Sequence, residues 1–159
     1  MALFFSEQIN RVDRKGRVSV PAQFRAALGE ALAEGVVAFP AFALDRQAVE
    51  VWPLARMSEL QDSLDRLHDR FSDEQKNLAS LMFAEARLLT FDETGRVLLP
   101  RPLLDTAAVS EEALFVGQGR TFQIWSPERY KPFKERLQAS AARGGSLATF
   151  PTAGRGGGE

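Results

Sequence analysis

The sequence predicts an α+β fold, mainly β, in which two similar halves each supply short strands and flanking helices. Three observations predict it. First, the chain repeats itself: residues 13–21 read Asp-Arg-Lys-Gly-Arg-Val-Ser-Val-Pro and residues 92–100 read Asp-Glu-Thr-Gly-Arg-Val-Leu-Leu-Pro, with Asp, Gly, Arg, Val and Pro in register without a gap. Second, each copy is followed by a strand pattern that ends in tryptophan, at Trp52 and again at Trp125. Third, a helical pattern follows each tryptophan.

The elements follow in order within each half. A lead strand is expected over 7–12 and again over 86–91. A glycine-bearing turn comes next, then a short strand over 17–20 or 96–99. Proline opens a short helix over 21–28 or 100–107, where its missing N–H costs no hydrogen bond. A further strand pair ends at the tryptophan. After the first half a helix is expected over 54–71, with Leu60, Leu64, Leu67 and Phe71 at helical spacing. Ser72 and Gln75 read as a capping box for a second helix that turns Leu78, Leu81 and Met82 inward. Ser126 and Pro127 read as N-cap and first residue of the last helix, with Pro132 placed to kink or restart it. The expected division is a first repeat with its helix over 1–70, a connecting helix over 71–83, a second repeat with its helix over 84–142, and a flexible Gly-rich tail over 143–159.

Composition narrows the chemistry. The chain has 159 residues, 45% of them hydrophobic, enough to bury a core. It has no cysteine, which excludes disulfides, thiolate catalysis and cysteine-ligated zinc. The N-terminus lacks the basic flank and apolar run of a signal peptide, and nothing approaches the ~20 apolar residues of a membrane span. A cytoplasmic, soluble protein with no membrane partner is the expectation. His68 is the one histidine, with Asp65 and Asp69 near it in sequence, and reads as a surface or half-buried residue. No catalytic residue, metal site, cofactor or small-molecule ligand is expected, and the chain reads as no enzyme. Gly117-Gln118-Gly119 lacks the further glycine and lysine of a phosphate loop and reads as a hairpin turn. Trp52 and Trp125 read as core residues at strand ends, and Phe39, Phe42, Phe115 and Phe122 as core or subunit-contact residues.

The repeated turn carries the chemistry. Asp13 can accept hydrogen bonds from the backbone ahead of it, Arg14 and Lys15 occupy the middle of a type I turn, and Gly16 takes the left-handed conformation after it. Asp92 and Gly95 should do the same around Glu93 and Thr94. An Asp–Arg pair that merely stiffens a hairpin is the plain reading. Local charge favours another. The net charge is −1 overall, yet residues 11–25 hold Arg11, Arg14, Lys15, Arg17 and Arg25 against Asp13 alone. Residues 92–105 hold Arg96 and Arg101 against Asp92, Glu93 and Asp105. Cations on a projecting ribbon can neutralise phosphates and reach base edges in the major groove.

The doubled Asp-x-x-Gly-Arg-φ-x-φ-Pro motif (φ, hydrophobic), Val51-Trp52-Pro53-Leu54, and Gly117-Gln118 followed by Gln123-Ile124-Trp125 resemble the MraZ family, relatives of the AbrB and SpoVT regulators. The resemblance covers the chain to about residue 142. It implies tandem AbrB/SpoVT-like repeats forming a double-ψ, swapped-hairpin β-barrel within one chain, and a ring-shaped homo-oligomer of such barrels. It implies a nucleoid-associated repressor that binds repeated sites in promoter DNA of the division and cell-wall gene cluster, its own gene included. The family's DNA-recognition signature falls on Asp13 and Arg17 and on Asp92 and Arg96. Arg14, Lys15, Arg17, Arg96, Arg11 and Arg25 are thus the expected double-stranded DNA contacts, with Asp13, Gly16, Asp92 and Gly95 ordering the turns. The sequence departs from this pattern at Glu93 and Thr94, where the second tip has no counterpart of Lys15, and at Leu104, which stands where the first half has Arg25. A protein-interaction or assembly module, or an antitoxin-like protein of the same fold, is the alternative.

Overall fold

In the computed structural model, residues 2–147 and 150–152 are described. The lead strand β1 (Glu7–Arg11) is followed by β2 (Arg17–Ser19), helix α1 (Ala22–Leu28), a 3-10 turn, β3 (Val36–Pro40) and β4 (Val49–Pro53). Helices α2 (Leu54–Arg66) and α3 (Asp73–Glu85) come next. The second half then runs β5 (Arg87–Leu89), β6 (Arg96–Leu98), α4 (Arg101–Ala107), β7 (Glu112–Gly117), β8 (Phe122–Trp125) and α5 (Pro127–Ala141).

The pairings cross between the halves. Six antiparallel strands form one sheet in the order β1-β7-β8-β4-β3-β5, and β2 pairs with β6 in a separate two-stranded ribbon. Each half's lead strand therefore sits on the other half: β1 on β7, and β5 on β3. The two inner hairpins meet at β4 and β8, with Val51 opposite Phe122. The mixed helix and sheet composition agrees with the expected α+β class, and the ladders do not close into a barrel. β2 and β6 are three-residue strands, each held between a positive-φ glycine and a proline that has no N–H to extend a ladder. Their extended ladder is with one another, Val18 adds a single antiparallel bridge back to Val12, and the large sheet keeps two edges, β1 and β5.

Strand alternation divides the core. Val36, Ala38, Val49, Val51, Phe115, Phe122 and Ile124 point to the face covered by the ribbon and by α1 and α4, through Val18, Val97, Phe24, Leu103 and Leu104. Phe24 and Phe122 meet at 4.9 Å between ring centres. Full burial of each such ring is worth about 1.5–3 kcal/mol. The alternate residues point to the other face. There Leu114, Val116 and Trp125 meet Tyr130 of α5, and Val37 and Phe39 meet Met57 of α2 and Met82 of α3.

Several local expectations hold and several do not. The Ser72–Gln75 capping box is formed in both directions, at 3.0 and 2.8 Å. Ser126 caps α5, which runs through Pro132 without a break. Helix α2 stops at Arg66, because Leu67 leaves helical geometry with φ −116° and ψ 27° and a 3-10 turn, His68–Arg70, follows. On α3 only Ala79 and Met82 are buried, while Leu78 and Leu81 are exposed. Met82 packs against Val37 and Phe39 of the sheet, while Leu78 only borders the cleft beside it. Trp125 is fully buried as expected, but Trp52 is only half-buried, edge-on to Phe39 at 5.4 Å. His68 is exposed. Part of the Gly-rich tail expected to be flexible lies outside the described residues.

Candidate nucleic-acid interface

The two turns have the same internal wiring. Asp13 Oδ1 accepts from the backbone N–H groups of Lys15 and Arg17, both at 2.9 Å, and its Oδ2 accepts from Arg17 Nε at 2.7 Å. The main chain closes with Gly16 N–H donating to Asp13 O at 3.0 Å and Asp13 N–H to Arg17 O at 2.9 Å. Gly16 has φ +92°, a conformation that a side chain would strain. Asp92 repeats the pattern with Thr94, Gly95 and Arg96: Oδ1 accepts from Thr94 N–H and Arg96 N–H at 2.9 Å, and Oδ2 from Arg96 Nε at 2.9 Å. Asp92 Oδ1 also accepts from the Thr94 hydroxyl at 2.8 Å. Sequence reasoning overlooked that last contact, although Asp-x-Thr is a spacing at which side chains bond locally.

These donors favour the ionised carboxylate. The Arg17 backbone N–H, ahead of its guanidinium and the Lys15 N–H, holds Asp13 below its ordinary value. Asp92 is held lower still, first by the Arg96 backbone N–H and then by Thr94 and the Arg96 side chain. Both aspartates are thus spent on ordering their turns. Each fixes its arginine at Nε and leaves the two terminal amino groups of the guanidinium to donate elsewhere.

The ribbon then joins the turns. β2 and β6 run antiparallel with Arg17 opposite Leu98, Val18 opposite Val97, and Ser19 opposite Arg96. The valines point into the core, so Arg17, Ser19, Arg96 and Leu98 share the outer face. Leu99 N–H donates to Gly16 O at 2.9 Å and Val20 N–H to Gly95 O at 3.1 Å, so each glycine is tied to the opposite half's strand. An open concavity of about 510 Å³ results. Arg11, Arg14, Arg17 and Arg96 line it, with Asp13 and Glu111 as its acidic groups. Lys15 and Arg14 are exposed at the first tip, and Glu93 and Thr94 at the second.

Arg25 is the exception among the expected residues. It does not join the first turn, which it follows in sequence. Its guanidinium lies against Gly95 of the second turn, and its Nε donates to Val20 O at 3.0 Å. Leu104, its counterpart, lies against Gly16 of the first turn. The strand exchange carries each short helix across to the other half's turn.

A second, apolar cleft of about 370 Å³ opens between β4 and the α2–α3 pair, lined by Phe39, Phe42, Trp52, Leu60, Phe71 and Met82 among others. Its acidic group, Glu50, is half-buried and accepts from Gln123 Nε2 at 2.9 Å and, at 3.4 Å, from Trp52 Nε1. Burial pushes this carboxyl above its ordinary value. Gln123 in turn accepts from Trp125 Nε1 at 2.8 Å, so the acid is built into a hydrogen-bonded chain across β4 and β8. Among the described residues no cluster of three or more His, Cys, Asp or Glu side chains is placed to hold a metal ion.

Comparison with known proteins covers most of the chain. The family model described as "MraZ protein, putative antitoxin-like" matches residues 82–145. A protein of Rickettsia canadensis (strain McKiel) named Transcriptional regulator MraZ is 38% identical over 141 residues, covering 89% of this chain and 93% of the relative. Proteins of the same name from Rickettsia felis and Rickettsia typhi are each 39% identical. The first alignment covers 89% of this chain and 93% of the relative, and the second 87% and 91%. The similarity spans nearly the full length of both partners, and on that ground the chain belongs to the MraZ family.

Proposed function

We propose that this chain is a transcriptional regulator that binds double-stranded promoter DNA in a sequence-specific manner through the β2–β6 ribbon and its two turns. One observation carries the reading: four arginines from both halves line a single open concavity on a ribbon whose turns are internally rigid. Phosphates supply the binding energy for such a surface, through counterion release, while the terminal amino groups of an oriented arginine suit the O6 and N7 of guanine. Lys15 and Arg14 extend the surface at the first tip. The names of the relatives support regulation of transcription. On this reading the protein is no enzyme and acts in the cytoplasm at the nucleoid. It represses the division and cell-wall cluster, its own gene included, as a ring-shaped homo-oligomer that multiplies weak contacts over repeated sites.

A gel shift with duplex taken from just upstream of the gene, at two salt concentrations, tests the reading. Binding should weaken steeply as salt rises, and Arg17→Ala should lose about tenfold or more in affinity while remaining folded and assembled. Equal binding by Arg17→Ala, or no preference for the upstream duplex over random duplex, overturns it. The antitoxin-like wording of the family description and the exposed Leu67, Leu78, Leu81 and Phe83 on the α2–α3 segment favour a second reading, a module that binds a partner protein. Its signature is a stable protein complex without promoter preference.

A further inference from the structure

The two turns differ in charge along the sequence, and the fold redistributes it. A Cβ built on Gly95 would stand 2.6 Å from both Cζ and Nη1 of Arg25 and 2.7 Å from its Nε. Near-equal distances to three atoms of the guanidinium mean that its flat face rests on the glycine. Val20 fixes both partners: its carbonyl accepts from Arg25 Nε at 3.0 Å, and its N–H donates to Gly95 O at 3.1 Å. In the other half, Leu104 Cδ1 stands 3.2 Å from the equivalent position on Gly16. Each turn rests on a side chain lent by the other half, one cationic and one apolar.

We propose that Arg25 is a phosphate-contacting residue of the second turn, completing with Arg96 a grip that the second half's own sequence lacks. This rests on the DNA-binding reading above. Arg25 cannot strengthen the first turn, because the chain has carried it to the far end of the ribbon. At the second turn it has what a phosphate ligand needs. Its Nε is occupied and its face is covered, so the orientation is set in advance and little rotamer freedom is lost on binding. Its terminal amino groups remain to donate to an oxyanion. With Arg25 placed there, Arg25 and Arg96 offset Asp92 and Glu93, and Asp92 is already consumed by its own turn. The first turn keeps Arg14, Lys15 and Arg17 against Asp13. The protein therefore holds DNA at two unequal points, the first turn gripping harder.

Arg25→Leu is the decisive variant, since leucine is the residue the fold already accommodates at the matching place. Arg25→Lys keeps the charge without the flat face. Full-length variants are compared by fluorescence anisotropy on the upstream duplex across a salt series, and by phosphate-ethylation interference. For Arg25→Leu, affinity should fall about tenfold, and the salt slope should drop by about 1 for each protomer engaged. The phosphates it ceases to contact should be those lost in Arg96→Ala, not those lost in Arg17→Ala. Arg25→Lys should keep the parental slope. If Arg25→Leu retains the parent's slope and interference pattern, the guanidinium only packs on Gly95 and the proposal is overturned. Loss of the Arg17 phosphates overturns it too. Failure of the parent itself to prefer the upstream duplex would instead remove the DNA-binding reading. Should Arg25→Leu melt early, Arg25→Met, also apolar and unbranched, decides between the same outcomes.

Discussion

Arg96 stands directly opposite Ser19 on the antiparallel β2–β6 ladder, so a residue of the second half faces the same concavity as Arg17 of the first. Ser19 is small, exposed and central on that face. Ser19→Glu would set a carboxylate beneath an approaching phosphate and leave the buried Val18 and Val97 untouched. We expect it to abolish duplex binding and to leave the thermal transition nearly unchanged. Arg96→Ala should weaken binding less than Arg17→Ala, because the second tip carries fewer cations. Anisotropy at fixed salt orders the three variants, and tight binding by Ser19→Glu would mean that DNA lies elsewhere.

Two acidic residues in the turns should respond in opposite directions. Asp13 is negative, yet it organises Lys15 and Arg17 through three hydrogen bonds. Glu93 is exposed at the second tip. If charge alone mattered, removing either would tighten binding. We expect Asp13→Ala to weaken it, because the arginine loses its fixed orientation, and Glu93→Ala to strengthen it several-fold through lower repulsion. A parallel change in both would show that turn order is irrelevant to affinity.

The Glu50 carboxyl predicts a pH effect of definite sign. Burial raises its folded value above the ordinary 4.5, outweighing the hydrogen bonds from Gln123 and Trp52. The folded chain thus favours the protonated form. Its contribution to stability is full below about pH 4.5 and is lost as pH rises through the elevated folded value. Asp13 and Asp92, held low, act in a separate window: their contribution is present above 3.8 and is lost only as pH falls towards their depressed values. Urea unfolding of the parent should therefore show a decline in stability on the alkaline side of pH 4.5 that Glu50→Gln reduces. Parallel pH profiles for parent and variant would refute this.

The turns were legible in sequence because their chemistry is local. Asp, Gly and Arg at fixed spacing specify hydrogen bonds within five residues, and the structure forms them twice. The exchange of β1 and β5 was not legible from the residues, because antiparallel pairing joins positions that no short pattern relates. Arg25 shows the cost. Counted by neighbourhood along the chain it belongs with Arg14 and Lys15, and in space it belongs to Gly95. The face of α3 was misread for a different reason. Leu78, Leu81 and Met82 form an apolar stripe, but of the three only Met82 is buried, against Val37 and Phe39 of the sheet, so hydrophobicity alone did not identify the side that docks.

The pairing of Glu7 with Val116 has a consequence for how the chain is made. On the ribosome the first strand emerges long before its neighbour exists, and β2 likewise waits for β6. Neither half can finish its own sheet. Assembly of the ribbon thus waits until β6 has been made, and a protein truncated between the repeats would keep the first turn's internal hydrogen bonds but lack the strand and the Leu99 N–H that tie that turn to the second half.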